Sequence, residues 1–119
     1  MTATEYQTQA YKTLAKSTAE NISYLSFGLV AEVGEVADKI AKAVRRGEIS
    51  INNDEIIIKR GTGEELTQNI AHELGDVLWF VAMLAQRLGY SLEDVMKLNL
   101  DKLADRQNRG VIIGDGDKR

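Results

Sequence analysis

The chain has 119 residues, of which 44% are hydrophobic and 28% charged, with a formal net charge of −3; this balance is typical of one soluble globular domain and excludes intrinsic disorder. The acidic charge argues against nucleic acid as a partner, and the absence of a long apolar run argues against a membrane-spanning segment. The sequence contains no cysteine and one histidine, which excludes disulfides, thiolate chemistry and multi-histidine metal sites, so its chemistry must rest mainly on carboxylates, hydroxyls, lysine and arginine.

Four segments carry apolar residues at the spacings of three and four that indicate α-helix. They cover about residues 4–17, 21–46 and 63–88, and a fourth begins at Ser91 and fades near residue 109. Gly47 and Gly89 follow the second and third segments, as is usual at helix C-termini. Ser91 and Asp94 form a box-like cap at the start of the fourth helix, and Thr62 can cap the third.

Residues 47–61, between the second and third helices, contain isoleucines that alternate on either side of Asn52 and Asn53. The pattern predicts a small β-hairpin, and a loop anchored by a few isoleucines is the alternative. Four helices in about 110 residues indicate an all-α fold, a four-helix bundle. We expect one domain over residues 1–110 and an irregular, glycine-rich tail over residues 111–119.

Two of these helices carry matched pairs of acidic residues. The pairs are Glu32 with Glu35 and Glu73 with Asp76. Acids three residues apart share a helix face, and both pairs lie on the same flank of their apolar stripe, so antiparallel packing would let all four converge. Gathered carboxylates raise each other's pKa, and a hard cation such as Mg²⁺ or Mn²⁺ relieves this cost. The spacing therefore predicts a metal centre, with two solvated helix faces as the alternative.

Gly34 and Gly75 occupy the same position within the two acid motifs. Glycine inside a helix costs up to about 1 kcal/mol relative to alanine, so we expect close helix approach or room for a ligand at both positions. The single histidine, His72, directly precedes Glu73 and points about 100° away from it. We therefore expect His72 at the surface or at an interface, and a di-iron site, which needs two Glu-x-x-His motifs, is disfavoured.

Three further side chains flank the acid motifs. Lys39 lies on the side of Glu32, two turns later, where it can contact a phosphate or pair with an acid. Phe80 lies one turn after Asp76, where it can stack on a base or belong to the core. Trp79 lies about 170° from the apolar stripe, which suggests a contact between subunits.

The acid motifs and the strings around them, GLVAEVGEVADKI and ELGDVLWFVAML, resemble the MazG-like, all-α nucleoside triphosphate pyrophosphohydrolases. The resemblance continues at Asn99-x-x-Lys102-x-x-x-Arg106, where the family places polar residues that contact the substrate, and it covers about residues 24–109. Ala31 departs from the pattern, because many members carry a further glutamate there.

The resemblance implies a helical bundle of the all-α NTP pyrophosphatase type. It also implies Mg²⁺-dependent hydrolysis of (deoxy)nucleoside triphosphates between the α- and β-phosphates, with Mn²⁺ as a substitute ion. The products are a nucleoside monophosphate and pyrophosphate, and the role is nucleotide clean-up or pool control. Members form homodimers or homotetramers. Because the first residues lack a signal peptide, we expect a cytoplasmic location.

The resemblance also assigns roles to residues. By this resemblance, the metal is bound by Glu32, Glu35, Glu73 and Asp76, and the attacking water is activated by Glu35 or Glu32. Substrate contacts fall to Asn99, Lys102 and Arg106, and the positions of Lys39 and Phe80 beside the acid motifs make these two residues further candidates. The alternatives are a dUTPase-like enzyme or a phosphoribosyl-nucleotide pyrophosphohydrolase of the same fold, or a non-catalytic helical module that binds a nucleotide or dimerises.

Overall fold

A computed structural model describes residues 1–19, 21–52, 55–59 and 63–116 of the chain. Its elements are α1 (Ala3–Tyr11), α2 (Lys16–Ala19), α3 (Ile22–Arg45), β1 (Ile49–Asn52), β2 (Glu55–Ile58), α4 (Gly63–Arg87) and α5 (Leu92–Asn108). The described residues are thus mostly helical, with one small two-stranded sheet among them, and the predicted all-α fold is confirmed. No helix among these residues combines the length and apolar character needed to cross a membrane.

The predicted hairpin is present. β1 and β2 pair in antiparallel register, with Ile49 opposite Ile58 and Ile51 opposite Ile56. Asn53, which the sequence analysis placed in the turn, lies outside the described residues. The alternation of isoleucines was therefore a sound signal for two paired strands.

The first predicted helix is shorter than expected and is followed by the single turn of α2. The Thr13 hydroxyl donates to the carbonyl of Ala10 at 2.7 Å and accepts a hydrogen bond from Trp79 Nε1 at 2.8 Å. Threonine is a weak helix former whose side chain competes for backbone partners. The hydrogen bond with Trp79 of α4 therefore holds Thr13 outside the helix, and α1 ends before it.

The helix ends follow the predicted signals. Ser91 and Asp94 form a reciprocal capping box at the start of α5. Gly47 and Gly89 adopt positive φ angles of 67° and 83° after α3 and α4, the left-handed conformation that favours glycine. Thr62, the predicted cap of α4, lies outside the described residues.

Helices α3 and α4 form a long antiparallel pair with a core at each end. One core joins Leu25, near the start of α3, to Phe80 and Met83, near the end of α4, and α1 and α5 complete it. The other joins Ala43, near the end of α3, to Leu66, near the start of α4, and to β1. The two acid motifs therefore lie between the cores, in the middle of the pair.

A glycine allows the two helices to approach closely in the first core. A Cβ atom on Gly28 would lie 2.2 Å from Cε1 of Phe80, so a side chain there would collide with the ring. Of the two explanations for Gly34 and Gly75, close helix approach is not seen within the single chain, because a Cβ atom at either position would meet no described atom within 4 Å, whereas room for a ligand stays a prediction. The glycine required by packing lies one turn before the acid motif.

The folded chain is extended for its length. Its radius of gyration is 17.5 Å, compared with about 13.5 Å for a compact globular chain of this size. Its accessible surface is 8882 Å², compared with about 6,400 Å² for a compact monomer of its mass. Many large apolar side chains of α3, α4 and α5 are exposed, among them Phe27 at 76% and Val30 at 69%.

Candidate metal centre

Three carboxylates converge between α3 and α4. Glu32, Glu73 and Asp76 each offer one oxygen, and these three oxygens lie within 4.8 Å of one another. Glu32 and Glu73 are partly buried and Asp76 is exposed, so the group is open to solvent on one side. Equal offsets of the two acid motifs from their apolar stripes predicted this meeting, because antiparallel helices that face each other with the same flank bring the two motifs together.

Glu35, the fourth predicted ligand, lies outside this group of three. It is exposed on α3, one turn after Glu32, and lines an adjacent cleft. Its charge still acts on the group, since it contributes to the raised pKa of Glu32. The structure therefore brings together three of the four predicted acids and places the fourth beside them.

The electrostatics of the group suit a cation. Burial is the main cause that raises the pKa of the Glu32 carboxyl above its usual value, and the charges of Asp76 and Glu73 raise that pKa further. A nearby cation has the opposite effect, because it favours the charged form of each carboxylate. The group offers only oxygen ligands, and its negative charges repel one another. Such a group fits a hard divalent ion such as Mg²⁺ or Mn²⁺.

Lys39 supplies a cation at this site. Its Nζ atom lies 2.8 Å from Oε1 of Glu73, in a pair whose side chains are 31% and 17% exposed. The hydrogen bond to Glu73 is the main reason that the pKa of Lys39 is raised. Of the two roles that the sequence analysis considered for Lys39, pairing with an acid is the one seen in this structure.

An aromatic cluster lies on the other side of the acid group. Phe80 is buried, with its ring centroid 4.9 Å from that of Trp79 and 5.9 Å from that of Tyr24. Phe80 thus belongs to the core, and its proposed contact with a base stays a prediction. Tyr24 is 44% exposed and offers the most accessible ring of the three.

Trp79, interpreted from the sequence as a subunit contact, has partners within its own chain, and its contact with a second subunit stays a prediction. Its ring packs against the first core, and its Nε1 donates to Thr13 at 2.8 Å. Helix α1 therefore covers, within the same chain, the face of α4 that appeared to lack a partner. Helical periodicity alone places Trp79 opposite the apolar stripe and does not reveal that a second helix packs there.

Tyr6 of α1 is a neighbour of the site that the sequence analysis did not assign to it. Its side chain packs against the first core, and burial followed by the negative charge of Asp76 raises its pKa. Tyr6 and Ala10 are four residues apart and share one face of the first helix. Only the packing of α1 on α4 brings Tyr6 near the acid group.

A cleft of about 190 Å³ runs beside the acid group. Its lining residues are Glu35, Asp38, Lys39, Lys42, Arg46, Leu66 and Asn69. Residues at intervals of three and four along α3 and its C-cap form a polar strip that consists of Glu32, Glu35, Lys39, Lys42 and Arg46. Helical periodicity alone could have predicted that they share a face.

The remaining predicted residues belong neither to the acid group nor to the lining of this cleft. Asn99 and Lys102 are exposed on α5, whereas Arg106 is 5% exposed. Their roles in substrate binding stay predictions. His72 is exposed, as expected, and is not part of the acid group. A second cleft, of about 410 Å³, lies between α1 and the turn from α4 to α5 and shares no lining residue with the first.

Two helices that hold a group of carboxylates between them, within a mostly helical chain, define a helical protein with a candidate divalent-metal site. The family model of the MazG nucleotide pyrophosphohydrolase domain matches residues 20–111. The chain therefore belongs to the MazG nucleotide pyrophosphohydrolase family.

Two curated relatives are similar to the chain over most of its length. The Gene 37 protein of Mycobacterium phage L5 is 42% identical over 100 residues, which cover 84% of this chain and 78% of that protein. The uncharacterized protein YvdC of Bacillus subtilis (strain 168) is 38% identical over 90 residues, which cover 73% of this chain and 83% of YvdC. No solved structure shows a significant match.

Proposed function

We propose that the protein hydrolyses a nucleoside triphosphate between the α- and β-phosphates and releases a nucleoside monophosphate and pyrophosphate. The observation that carries the proposal is the convergence of Glu32, Glu73 and Asp76, within 4.8 Å, in a MazG domain. Phosphoryl transfer depends on alignment and charge neutralisation more than on covalent catalysis. A site built from carboxylates around a divalent ion supplies both.

The residues of the acid group have distinct tasks in this proposal. Glu32, Glu73 and Asp76 hold Mg²⁺, with Mn²⁺ as a substitute. Bound there, the ion neutralises phosphate charge and makes water more acidic. Glu35, exposed and outside the group of three, either adds a ligand or accepts a proton from the attacking water. Its position beside the group supports the second task, which needs a carboxylate that is not fully engaged by a metal.

Substrate contacts come from several elements in this proposal. Lys39 can exchange its contact with Glu73 for a phosphate oxygen. Asn99, Lys102 and Arg106 on α5 take the substrate-binding roles that the family resemblance gives them. The physiological role that we propose is the removal of unwanted nucleotides or the control of nucleotide pools.

Product analysis tests the proposed reaction. Purified protein with Mg²⁺ would be incubated with a panel of ribo- and deoxyribonucleoside triphosphates and a phosphoribosyl nucleotide. We expect pyrophosphate and monophosphate from at least one triphosphate. Glu35→Gln should reduce the turnover rate by a factor of about one hundred or more. The control is Gln68→Glu, which alters an exposed polar residue of α4 outside the acid group.

The products separate the alternatives. Preferential turnover of dUTP or of the phosphoribosyl nucleotide identifies one of the two related enzymes. Orthophosphate and diphosphate would show that the bond assignment is wrong. If no compound is turned over and the protein still binds nucleotides, the non-catalytic module replaces the enzyme.

We also propose that the protein is a homodimer or homotetramer. The accessible surface exceeds that of a compact monomer of its mass by about 2,500 Å², and a standard interface buries roughly 800 Å² per partner. Val33 and Leu74 are 51% and 53% exposed, and each lies about 100° from the acid that precedes it. The uncovered apolar face therefore lies on the flank of the α3–α4 pair away from the acids, where a second copy can cover it without closing the site.

A further inference from the structure

Charge is distributed very unevenly along the α3–α4 pair. Residues 22–31 of α3 and residues 77–86 of α4 contain no charged side chain. These two segments lie together at the end of the pair that holds the aromatic cluster of Tyr24, Phe80 and Trp79. The acid group separates this uncharged end from the other end, which carries the basic residues of α3.

Three basic residues continue the strip of α3 beyond the acids. The cleft of about 190 Å³ is lined by three basic residues and two acidic ones, together with two residues of α4: Lys39, Lys42, Arg46, Glu35, Asp38, Leu66 and Asn69. The rise of about 1.5 Å per residue spreads the three basic residues over about 10 Å along the helix. A chain of phosphate groups that starts at the acid group can therefore meet successive cations along one groove.

The present partners of these cations can be displaced. Lys42 pairs with Asp38 one turn before it, and Arg46 Nε lies 2.7 Å from Glu48 Oε1. The side chains of Lys42 and Arg46 are 50% and 53% exposed. Exposed ion pairs contribute little stability, whereas charge-assisted hydrogen bonds to a phosphate are strong, especially from a guanidinium.

We propose that this cleft binds the β- and γ-phosphates of the substrate, which leave as pyrophosphate, through Lys42 and Arg46 beyond Lys39. The nucleoside then lies at the uncharged end, where Tyr24 is accessible. The proposal rests on the proposed function and adds the direction of the substrate along α3. Its physical basis is that a highly charged phosphate tail meets cations at only one end of this strip.

Equilibrium binding of the two products tests this direction. The affinity of the folded protein for pyrophosphate and for a nucleoside monophosphate would be measured by titration calorimetry with Mg²⁺ present. The variant is Lys42→Met with Arg46→Met, which keeps much of the apolar stems. Lys97→Met is the matched control, because Lys97 forms the same kind of exposed pair with the acid one turn away.

We expect the double variant to bind pyrophosphate at least about tenfold more weakly, with monophosphate affinity within about twofold of wild type. Tyr24→Leu should weaken the binding of the monophosphate and leave pyrophosphate affinity unchanged. Lys97→Met should change neither affinity. Thermal unfolding of each variant confirms that it is folded.

Unchanged pyrophosphate affinity in the double variant would overturn the proposal, and so would an equal loss of both affinities. Either result leaves the proposed hydrolysis intact, because product analysis of the wild-type protein tests that reaction separately. Conversely, suppose that the wild-type protein hydrolyses no triphosphate while the double variant loses only pyrophosphate affinity. That pair of results would reject the proposed reaction and support the phosphate site.

Discussion

The Nζ atom of Lys39 lies 2.8 Å from Oε1 of Glu73, a member of the acid group. The ammonium group thereby offsets part of the negative charge that the three carboxylates create. A divalent ion bound to the same carboxylates must compete with it or displace it. Lys39 is thus a built-in counter-ion whose removal has a measurable effect on metal binding.

We expect Lys39→Met to bind Mn²⁺ a few-fold more tightly than wild type in the absence of nucleotide, because a neighbouring positive charge is removed. The melting temperature in chelator should fall, because Glu73 loses its partner. Calorimetric titration and thermal unfolding measure the two effects. Lys97→Met is the control, and an equal or weaker Mn²⁺ affinity in Lys39→Met would contradict the competition.

The raised pKa of Glu32 makes a prediction about pH. Its ordinary value is 4.5, and burial raises it in the folded chain, which therefore holds this proton more tightly than the unfolded chain does. The protonated Glu32 therefore contributes to the free energy of unfolding. This contribution is fully present below about pH 4.5 and is lost as the pH rises through the raised pKa. Charged Glu32 therefore destabilises the metal-free protein at neutral pH.

Glu32→Gln removes this titration. In chelator, we expect the melting temperature of the variant to exceed that of wild type at pH 7, and the difference to narrow toward pH 4. Added Mg²⁺ or Mn²⁺ should raise the melting temperature of wild type more than that of the variant, which has lost a ligand. A difference that does not change with pH would show that Glu32 is not the group responsible.

The close contact of Gly28 with Phe80 predicts the effect of a single methyl group. Gly28→Ala places a Cβ atom 2.2 Å from the ring, and overpacking of this kind costs about 1–3 kcal/mol. Gly34→Ala is the matched control in the same helix, where the added Cβ meets open space and helix propensity favours alanine by up to about 1 kcal/mol. Denaturant unfolding compares the two free energies, and equal effects would contradict the packing argument.

The uncovered apolar face predicts self-association. We expect wild type to sediment as a dimer or tetramer at micromolar concentration and Val33→Lys with Leu74→Lys to shift it toward monomer, because the lysines place charges in an apolar interface. The control is Gln68→Lys, at an exposed position outside that face. Analytical ultracentrifugation measures the masses, and a monomeric wild type would refute the proposed assembly.

Much of the fold follows from local periodicity. The three long helices, the hairpin, the cap at Ser91 and the glycine at the end of α3 were all predictable, because each depends on residues close together in sequence. The first helix was predicted too long. Its end depends on the contact of Thr13 with Trp79, a residue 66 positions away.

Part of the candidate site was likewise predictable from the sequence, and part of it depends on tertiary packing. Spacing of three residues determines that Glu32 and Glu35 share one face of α3, and that Glu73 and Asp76 share one face of α4. Only the packing of the two helices decides that Glu32 joins the α4 pair within 4.8 Å while Glu35 remains outside. Helical periodicity fixes angles around one axis, and it carries no information about the rotation of one helix against another.

The same reason explains which neighbours could not be foreseen. Sequence left Lys39 with two possible partners, placed Trp79 on an uncovered face and did not connect Tyr6 with Asp76. Tertiary structure pairs Lys39 with Glu73 and covers Trp79 with α1. Each of these contacts joins residues far apart in the chain, and its distance depends on how whole helices pack rather than on the residues next to it in sequence.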